Sequence, residues 1–205
     1  MREVAELIAA LRPHVTDERV LAAIAGVPRD AFVPRVRRGG AWENRALSIP
    51  CGQTISQPLV VARMAELLDV APGARVLDIG TGSGYHAAVL AALGARVVSI
   101  ERHPRLSRGA ARALDRAGVS GVTLVVGDGA LGLPEHAPFD AINVAAATPA
   151  QTLEVLAEQL GPGGRLVAPL AGERQRLVRI RRTLTGFERG DYEEVRFVPL
   201  IAGEP

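Results

Sequence analysis

The chain has 205 residues, 48% of them apolar but only 3% aromatic, and a formal net charge of +2. That length supports one domain with a core of Ala, Val and Leu, and the small charge does not by itself point to a nucleic-acid partner. All basic residues are arginine, and a single cysteine, Cys51, excludes an internal disulfide and a cysteine-rich metal site. The apolar runs are short and broken by Arg, Asp or Gly, which argues against a membrane span, and Glu3 and Glu6 interrupt any signal-peptide core. A cytoplasmic monomer is the expectation.

Val4, Leu7, Ile8 and Leu11 recur at helical spacing, and Pro13 closes that segment. Thr16 is the expected cap of a second helix, with Asp17 and Glu18 favourable at its start and an end near residue 27. Residues 28–57 read as a long irregular region, and such length in a compact domain points to function. Pro58 opens a third helix with Val61, Met64, Ala65 and Leu68 on one face.

From Arg75 the pattern alternates. Strands are expected near 75–79, 96–101, 122–126, 139–145 and 164–170, with helices near 84–93, 105–117 and 150–160. This predicts an α/β fold, a mostly parallel sheet covered on both faces. Beyond Pro169 the helices stop. Residues 174–184 and 193–200 read as two strands joined by 186–190, an antiparallel hairpin ending the sheet. The single domain then divides into N-terminal helices and loop (1–57), an α/β core (58–170) and C-terminal strands (171–205).

The segment Val76-Leu77-Asp78-Ile79-Gly80-Thr81-Gly82-Ser83-Gly84-Tyr85 runs from an apolar strand into a glycine turn. Glycine has no Cβ and tolerates positive φ, so backbone approaches a ligand closely there. Glu101 and Asp128 end the next two strands, at the carboxyl edge where open α/β sheets bind ligands. A dinucleotide site would show G-x-G-x-x-G with an acid about 20 residues on. Glu101 has that spacing from Gly80, but Tyr85 stands where the third glycine belongs, and Asp78 would repel a pyrophosphate.

A carboxylate beside the turn suits a cation, and S-adenosyl-L-methionine carries a sulfonium and an α-ammonium. On this reading the turn, with Asp78, Gly80, Thr81, Gly82 and Ser83, takes the methionine end. Glu101 accepts from both ribose hydroxyls, and Asp128, next to Gly129, accepts from the adenine amino group.

Further segments follow one pattern: Val27-Pro28-Arg29-Asp30-Ala31-Phe32-Val33-Pro34, Gly52-Gln53-Thr54-Ile55-Ser56-Gln57-Pro58, Val98-Ser99-Ile100-Glu101-Arg102, Gly127-Asp128-Gly129, Pro138-Phe139-Asp140-Ala141-Ile142 and Val195-Arg196-Phe197-Val198-Pro199-Leu200. With the glycine turn, the chain closely resembles protein-L-isoaspartate (D-aspartate) O-methyltransferases over essentially its whole length. Many methyltransferases share the turn; the motif at 53–58 is far more specific.

The resemblance implies a class I S-adenosylmethionine-dependent, Rossmann-like fold with altered order at the C-terminal strands. It implies methylation of the α-carboxylate of L-isoaspartyl residues, and less efficiently of D-aspartyl residues, in damaged proteins and peptides. The ester then closes to a succinimide, whose hydrolysis returns some normal linkage. The resemblance also implies that Ser56 is the active-site serine, that Gln53, Thr54 and Ile55 border the substrate, and that Val198 and Pro199 line a cleft where an extended peptide pairs with backbone. No acid or histidine in the motif is placed to activate Ser56 as a nucleophile, so its role is orientation. The same serine is also placed to cap the helix after Pro58.

The chain departs from the family at Trp42, Asn44, Ser48, Pro50 and Ala145, where Tyr, Asp, Pro, Gly and Thr are usual. Asn44 removes one unit of charge, and Pro50 fixes a φ near −65° where glycine is free. Three functions stay open: repair of isoaspartyl proteins, methylation of an aspartate in a dedicated peptide of natural-product maturation, and a cofactor-binding interaction module without turnover. The fourth strand lacks an Asn-Pro-Pro-Tyr-like end, which argues against methylation of amino groups. The Arg179-Ile180-Arg181-Arg182 run reads as solvated edge-strand charge. His14, His86, His103 and His136 show no metal-ligand spacing, and Cys51 reads as a small apolar filler.

Overall fold

The computed structural model describes residues 2–203. Glu204 and Pro205, counted above with the C-terminal strands, lie outside the described residues, as does Met1. The apolar faces of α1 (Arg2–Leu11) and α2 (Glu18–Gly26) pack into one core. The cap of α2 is Asp17 rather than Thr16: its carboxylate accepts from Arg19 N at 2.8 Å. Thr16 turns away and donates through N and Oγ1 to Glu66, at 2.6 and 2.9 Å.

Residues 28–57 hold two short 3-10 turns, Arg29–Phe32 and Arg35–Gly40, and a small hairpin of β1 (Leu47–Ser48) and β2 (Thr54–Ile55). This region is anchored, because Phe32, Val33, Ala41, Leu47, Ile49 and Ile55 are buried in the same core as α1 and α2. Next come α3 (Pro58–Leu68), β3 (Arg75–Ile79), α4 (Tyr85–Ala92), β4 (Arg96–Glu101), α5 (Pro104–Arg116), β5 (Val122–Val126), β6 (Phe139–Val144), α6 (Ala150–Ala157), β7 (Leu160–Leu170), β8 (Arg176–Arg182) and β9 (Phe187–Glu194).

The strands from β3 onward form one seven-stranded sheet in the order β5-β4-β3-β6-β7-β8-β9. The first five are parallel, and β8 and β9 are antiparallel. Side chains of β3 alternate between the two helical layers, as a strand period of two requires. Val76 packs with Met64, Ala87 and Leu90, whereas Leu77 and Ile79 pack with Leu153 and Leu156. The strand order reverses at β3, so the loops at its carboxyl end open a crevice.

The C-terminal hairpin exists but is shifted from the sequence expectation. A tight turn closed by Thr183 N to Gly186 O, 2.8 Å, joins β8 to β9. Residues 187–190 therefore belong to a strand, and 195–200 do not form the hairpin's second arm. β9 is an exposed edge of mixed polar residues, so it lacks the apolar alternation that marks a half-buried strand. Residues 195–200 show that alternation because they return across the sheet, with Ala147 paired to Pro199 in a parallel bridge. No helix among the described residues is long and apolar enough to cross a membrane.

Candidate active site

The glycine turn leaves β3 with Gly80, Gly82 and Gly84 at φ of 89°, 53° and 89°, a path that side chains with a Cβ rarely follow. Gly80 N donates to Ile100 O at 2.9 Å, which pins the turn against β4. Glu101 closes that strand and is buried. Its Oε2 accepts from Gly82 N at 2.8 Å and its Oε1 from His103 N at 2.9 Å, so the carboxylate is fixed at the turn's edge. On the far side, Gly129 sits so close to β3 that a Cβ would lie 2.5 Å from Ile79 Cγ2.

These groups border a cleft of roughly 630 Å³ including its open mouth, lined also by Gln53, Thr54, Ala145, Val198 and Pro199. Of the site residues expected from the sequence, Gly80, Gly82, Glu101, Gly129, Gln53, Thr54, Val198 and Pro199 line this one cleft.

Four of the expected cofactor residues stand elsewhere. Asp78 is not on the cleft wall but fully buried beneath the turn. Asp78, Ser99 and Asn143 are register neighbours on β3, β4 and β6. The Asp78 carboxylate accepts from Ser99 Oγ and Asn143 Nδ2, each at 2.7 Å. Burial raises its pKa to about 6 against those two bonds. Thr81 joins the same network, its Oγ1 2.6 Å from Ser99 Oγ. His86 borders it through Nδ1, 3.2 Å from Asn143 Nδ2, and burial lowers the pKa of the ring to about 3. Ser83 Oγ accepts from Tyr85 N at 3.3 Å and so helps start α4. Asp128 accepts from Ala130 N at 2.9 Å and from Gly203 N at 2.7 Å, which ties the C-terminal segment to the end of β5. A carboxylate has further lone pairs, so Asp128 retains acceptor capacity.

On the substrate side, Ser56 lies outside the cofactor cleft. It lines an adjoining groove with Gln57, Val60 and Phe197, and Thr54 and Val198 are walls of both spaces. Ser56 is not the cap of α3; Gln57 holds that position and makes no side-chain cap bond. Asn44 supplies the missing acceptor, its Oδ1 taking Leu59 N at 3.1 Å. Ile55, expected at the substrate, points into the core and is buried. Cys51 is exposed rather than a filler. It sits at the hairpin tip with φ 60°, followed by Gly52 at 69°, and Gln53 N donates to Pro50 O at 3.3 Å. Positive φ at both central positions is the turn that suits tight hairpins. The positive φ therefore falls after Pro50, which explains why proline is accommodated there.

Sequence reasoning missed His103, Leu200 and Ile201, which also line the cleft. Leu200 and Ile201 follow Pro199 on the returning segment, and only its path across the sheet reveals them.

A seven-stranded sheet with its crevice at the glycine turn, and an acid ending the next strand, define a class I S-adenosylmethionine-dependent methyltransferase. Residues 2–205 match the family model described as protein-L-isoaspartate(D-aspartate) O-methyltransferase. Protein-L-isoaspartate O-methyltransferases of Parvibaculum lavamentivorans and Aeropyrum pernix are 48% and 52% identical to this chain, over 98% and 91% of its length and 93% and 74% of theirs. A solved protein-L-isoaspartate O-methyltransferase superposes with a TM-score of 0.85 at 28% identity, covering 98% of this chain and 66% of its own. A Plasmodium falciparum structure holding S-adenosyl-L-homocysteine shares the fold, with a TM-score of 0.83 at 24% identity over 96% of this chain and 97% of its own. The chain belongs to the protein-L-isoaspartate O-methyltransferase family.

Proposed function

We propose that this chain repairs damaged proteins and peptides generally, by S-adenosylmethionine-dependent methylation of the α-carboxylate of their L-isoaspartyl residues. The observation that carries this reading is the convergence of Gln53, Thr54, Val198 and Pro199 on the cleft that also contains Glu101 and the glycine turn. Segments about 150 residues apart in sequence thereby join the cofactor's cleft to the groove of Ser56.

The residues fit the cofactor. Gly80 and Gly82 take the positive φ that the turn needs at the cleft wall, Gly129 packs closely on β3, Glu101 offers carboxylate oxygens beside the turn, and Ile79 and Ile100 supply apolar surface. In the proposed arrangement Glu101 holds the ribose hydroxyls and Asp128 the adenine amino group. Asp78, Thr81 and Ser83 shape the turn from below. When bound, the cofactor supplies a methyl group on an electrophilic sulfonium.

The substrate carboxylate is ionised at neutral pH, so no general base is needed. What the chain's residues supply is alignment and exclusion of water, and positioning of this kind is worth up to roughly 7–11 kcal/mol. Ser56 and Thr54 orient the isoaspartyl carboxylate at the junction of groove and cleft. The backbone near Val198 holds the extended peptide.

Asn44 favours repair over a dedicated peptide. It preserves the acceptor that Asp would offer to Leu59 N, so that departure leaves the site's geometry intact. The test is methyl transfer from labelled cofactor to several unrelated isoaspartyl peptides and their normal-aspartyl twins. Transfer to every isoaspartyl peptide and to no twin is expected. Failure on all of them would overturn the reading.

A further inference from the structure

Arg29 opens the short turn before the substrate loop and is completely buried. Its partners are backbone carbonyls and an aromatic face. Nε donates to Ala41 O at 2.8 Å and Nη2 to Arg45 O at 3.3 Å, while Cζ lies 4.8 Å from the centre of the Tyr85 ring. Burial lowers its pKa to about 10, so it stays charged at neutral pH. An apolar side chain generally fills such a volume at lower cost, so the guanidinium's contribution is directional. Its planar fork fixes two carbonyls four residues apart in one loop, which an ammonium does not reproduce.

The loop it fixes leads to the substrate groove. Asn44 lies between the two held carbonyls. Its Oδ1 accepts from Leu59 N, and its own carbonyl accepts from Gln57 Nε2, both at 3.1 Å. Gln57 follows Ser56 directly and caps α3 only by position. On the other face of the guanidinium, Tyr85 is the first residue of α4, immediately after the glycine turn. Arg29 thus stands between the helix that starts at the cofactor turn and the loop that carries the groove.

We infer that Arg29 is a positioning residue for methyl transfer: it clamps loop 41–45 through Ala41 and Arg45, so that Asn44 fixes Gln57 and with it Ser56 at the groove. This inference rests on the reading that Thr54 and Ser56 hold the isoaspartyl peptide.

The experiment is a double-mutant cycle of Arg29→Lys and Gln57→Ala, which removes the amide that bonds the Asn44 carbonyl, reading KM and kcat for an isoaspartyl peptide and the Kd of S-adenosyl-L-homocysteine by calorimetry. A small misplacement near reacting groups costs up to about 100-fold. Arg29→Lys is accordingly expected to lower kcat/KM for the peptide ~10- to 100-fold while Kd changes less than about twofold. The double variant should be little worse than the worse single one, as expected for residues on one relay. Additive losses, equal losses of peptide and cofactor binding, or unchanged peptide kinetics would each overturn the inference. If Arg29→Lys does not fold, Arg29→Met fills the volume without a buried charge and enters the same cycle. Ser56→Ala separates the two readings. An unaffected Ser56→Ala removes Ser56 from the substrate and overturns both its role and that of Arg29, whereas an impaired Ser56→Ala with normal Arg29→Lys overturns the role of Arg29 alone.

Discussion

The glycine turn and Glu101 hang from adjacent strands of a seven-stranded sheet, whereas residues 28–57 contain only two strands of two residues each. On the cofactor side, position is set by backbone. Strand register places Asp78 beside Ser99 and Asn143, and Glu101 bonds to the turn itself through Gly82 N. On the substrate side, position is set by side chains reaching for backbone: Arg29 to Ala41 and Arg45, Asn44 to Leu59, Gln57 to Asn44. Backbone ladders are indifferent to most substitutions. Side-chain ties are broken by one change but keep working when the acceptor is conserved, as Asn44 shows.

The largest effect should come from removing the side chain that bonds the glycine turn and is proposed to hold the ribose. Glu101→Ala deletes the acceptor proposed for two ribose hydroxyls, with charge-assisted bonds worth roughly 1.5–3 kcal/mol each. Cofactor affinity measured by calorimetry should fall by about 100-fold or more. Unchanged affinity would remove Glu101 from the site and blur the contrast between the two sides.

Ser56→Ala tests the substrate side. It should lower kcat for isoaspartyl peptides by ~10-fold or more, an effect on orientation, and leave cofactor affinity intact. A matching loss of cofactor binding would place Ser56 on the other side of the division.

The buried network under the turn predicts a pH signature. Asp78 has its pKa raised to about 6, so the native state holds a proton there that the unfolded chain has lost, and its contribution to stability falls as pH rises from about 4 to 6. His86 has its pKa lowered to about 3, so the unfolded chain binds a proton that the native state refuses, and its contribution falls as pH drops below about 6.5. The two slopes oppose each other between about pH 4 and 6. Asp78→Asn should unmask the histidine. Relative to the parent, stability measured by urea unfolding should lose up to about 1.4 kcal/mol more per pH unit on acidification through that window. Parallel profiles would show that Asp78 is already ionised.

Smallest of all should be Asn44→Asp. It restores the family's residue while keeping the acceptor for Leu59 N and places a negative charge at the start of α3, a favourable interaction of about 0.3–1 kcal/mol. A slight rise in thermal stability with peptide kinetics within about twofold is expected. A large gain on generic isoaspartyl peptides would mark the parent loop as specialised.

Sequence by itself determined what is local or periodic. Short apolar runs alternating with helical segments located the five parallel strands, because a strand covered on both faces is apolar nearly throughout. The glycine spacing located the turn, since few residues other than glycine accept those φ values. Glu101 was legible because a strand-end acid follows the turn at a readable distance. Tertiary structure alone decided which acids face the cleft. Asp78 and Glu101 both end near the turn, yet strand pairing buries one under Ser99 and Asn143 and leaves the other at the cavity wall. It also decided that residues 195–201 return to the cleft rather than complete a hairpin, because that path is fixed by Ala147 and Gln175, far away in sequence. The same holds for Arg29, whose role depends on carbonyl groups, and every residue has a carbonyl. No residue type marks Ala41 or Arg45 as a partner, so only the folded loop brings them to the guanidinium.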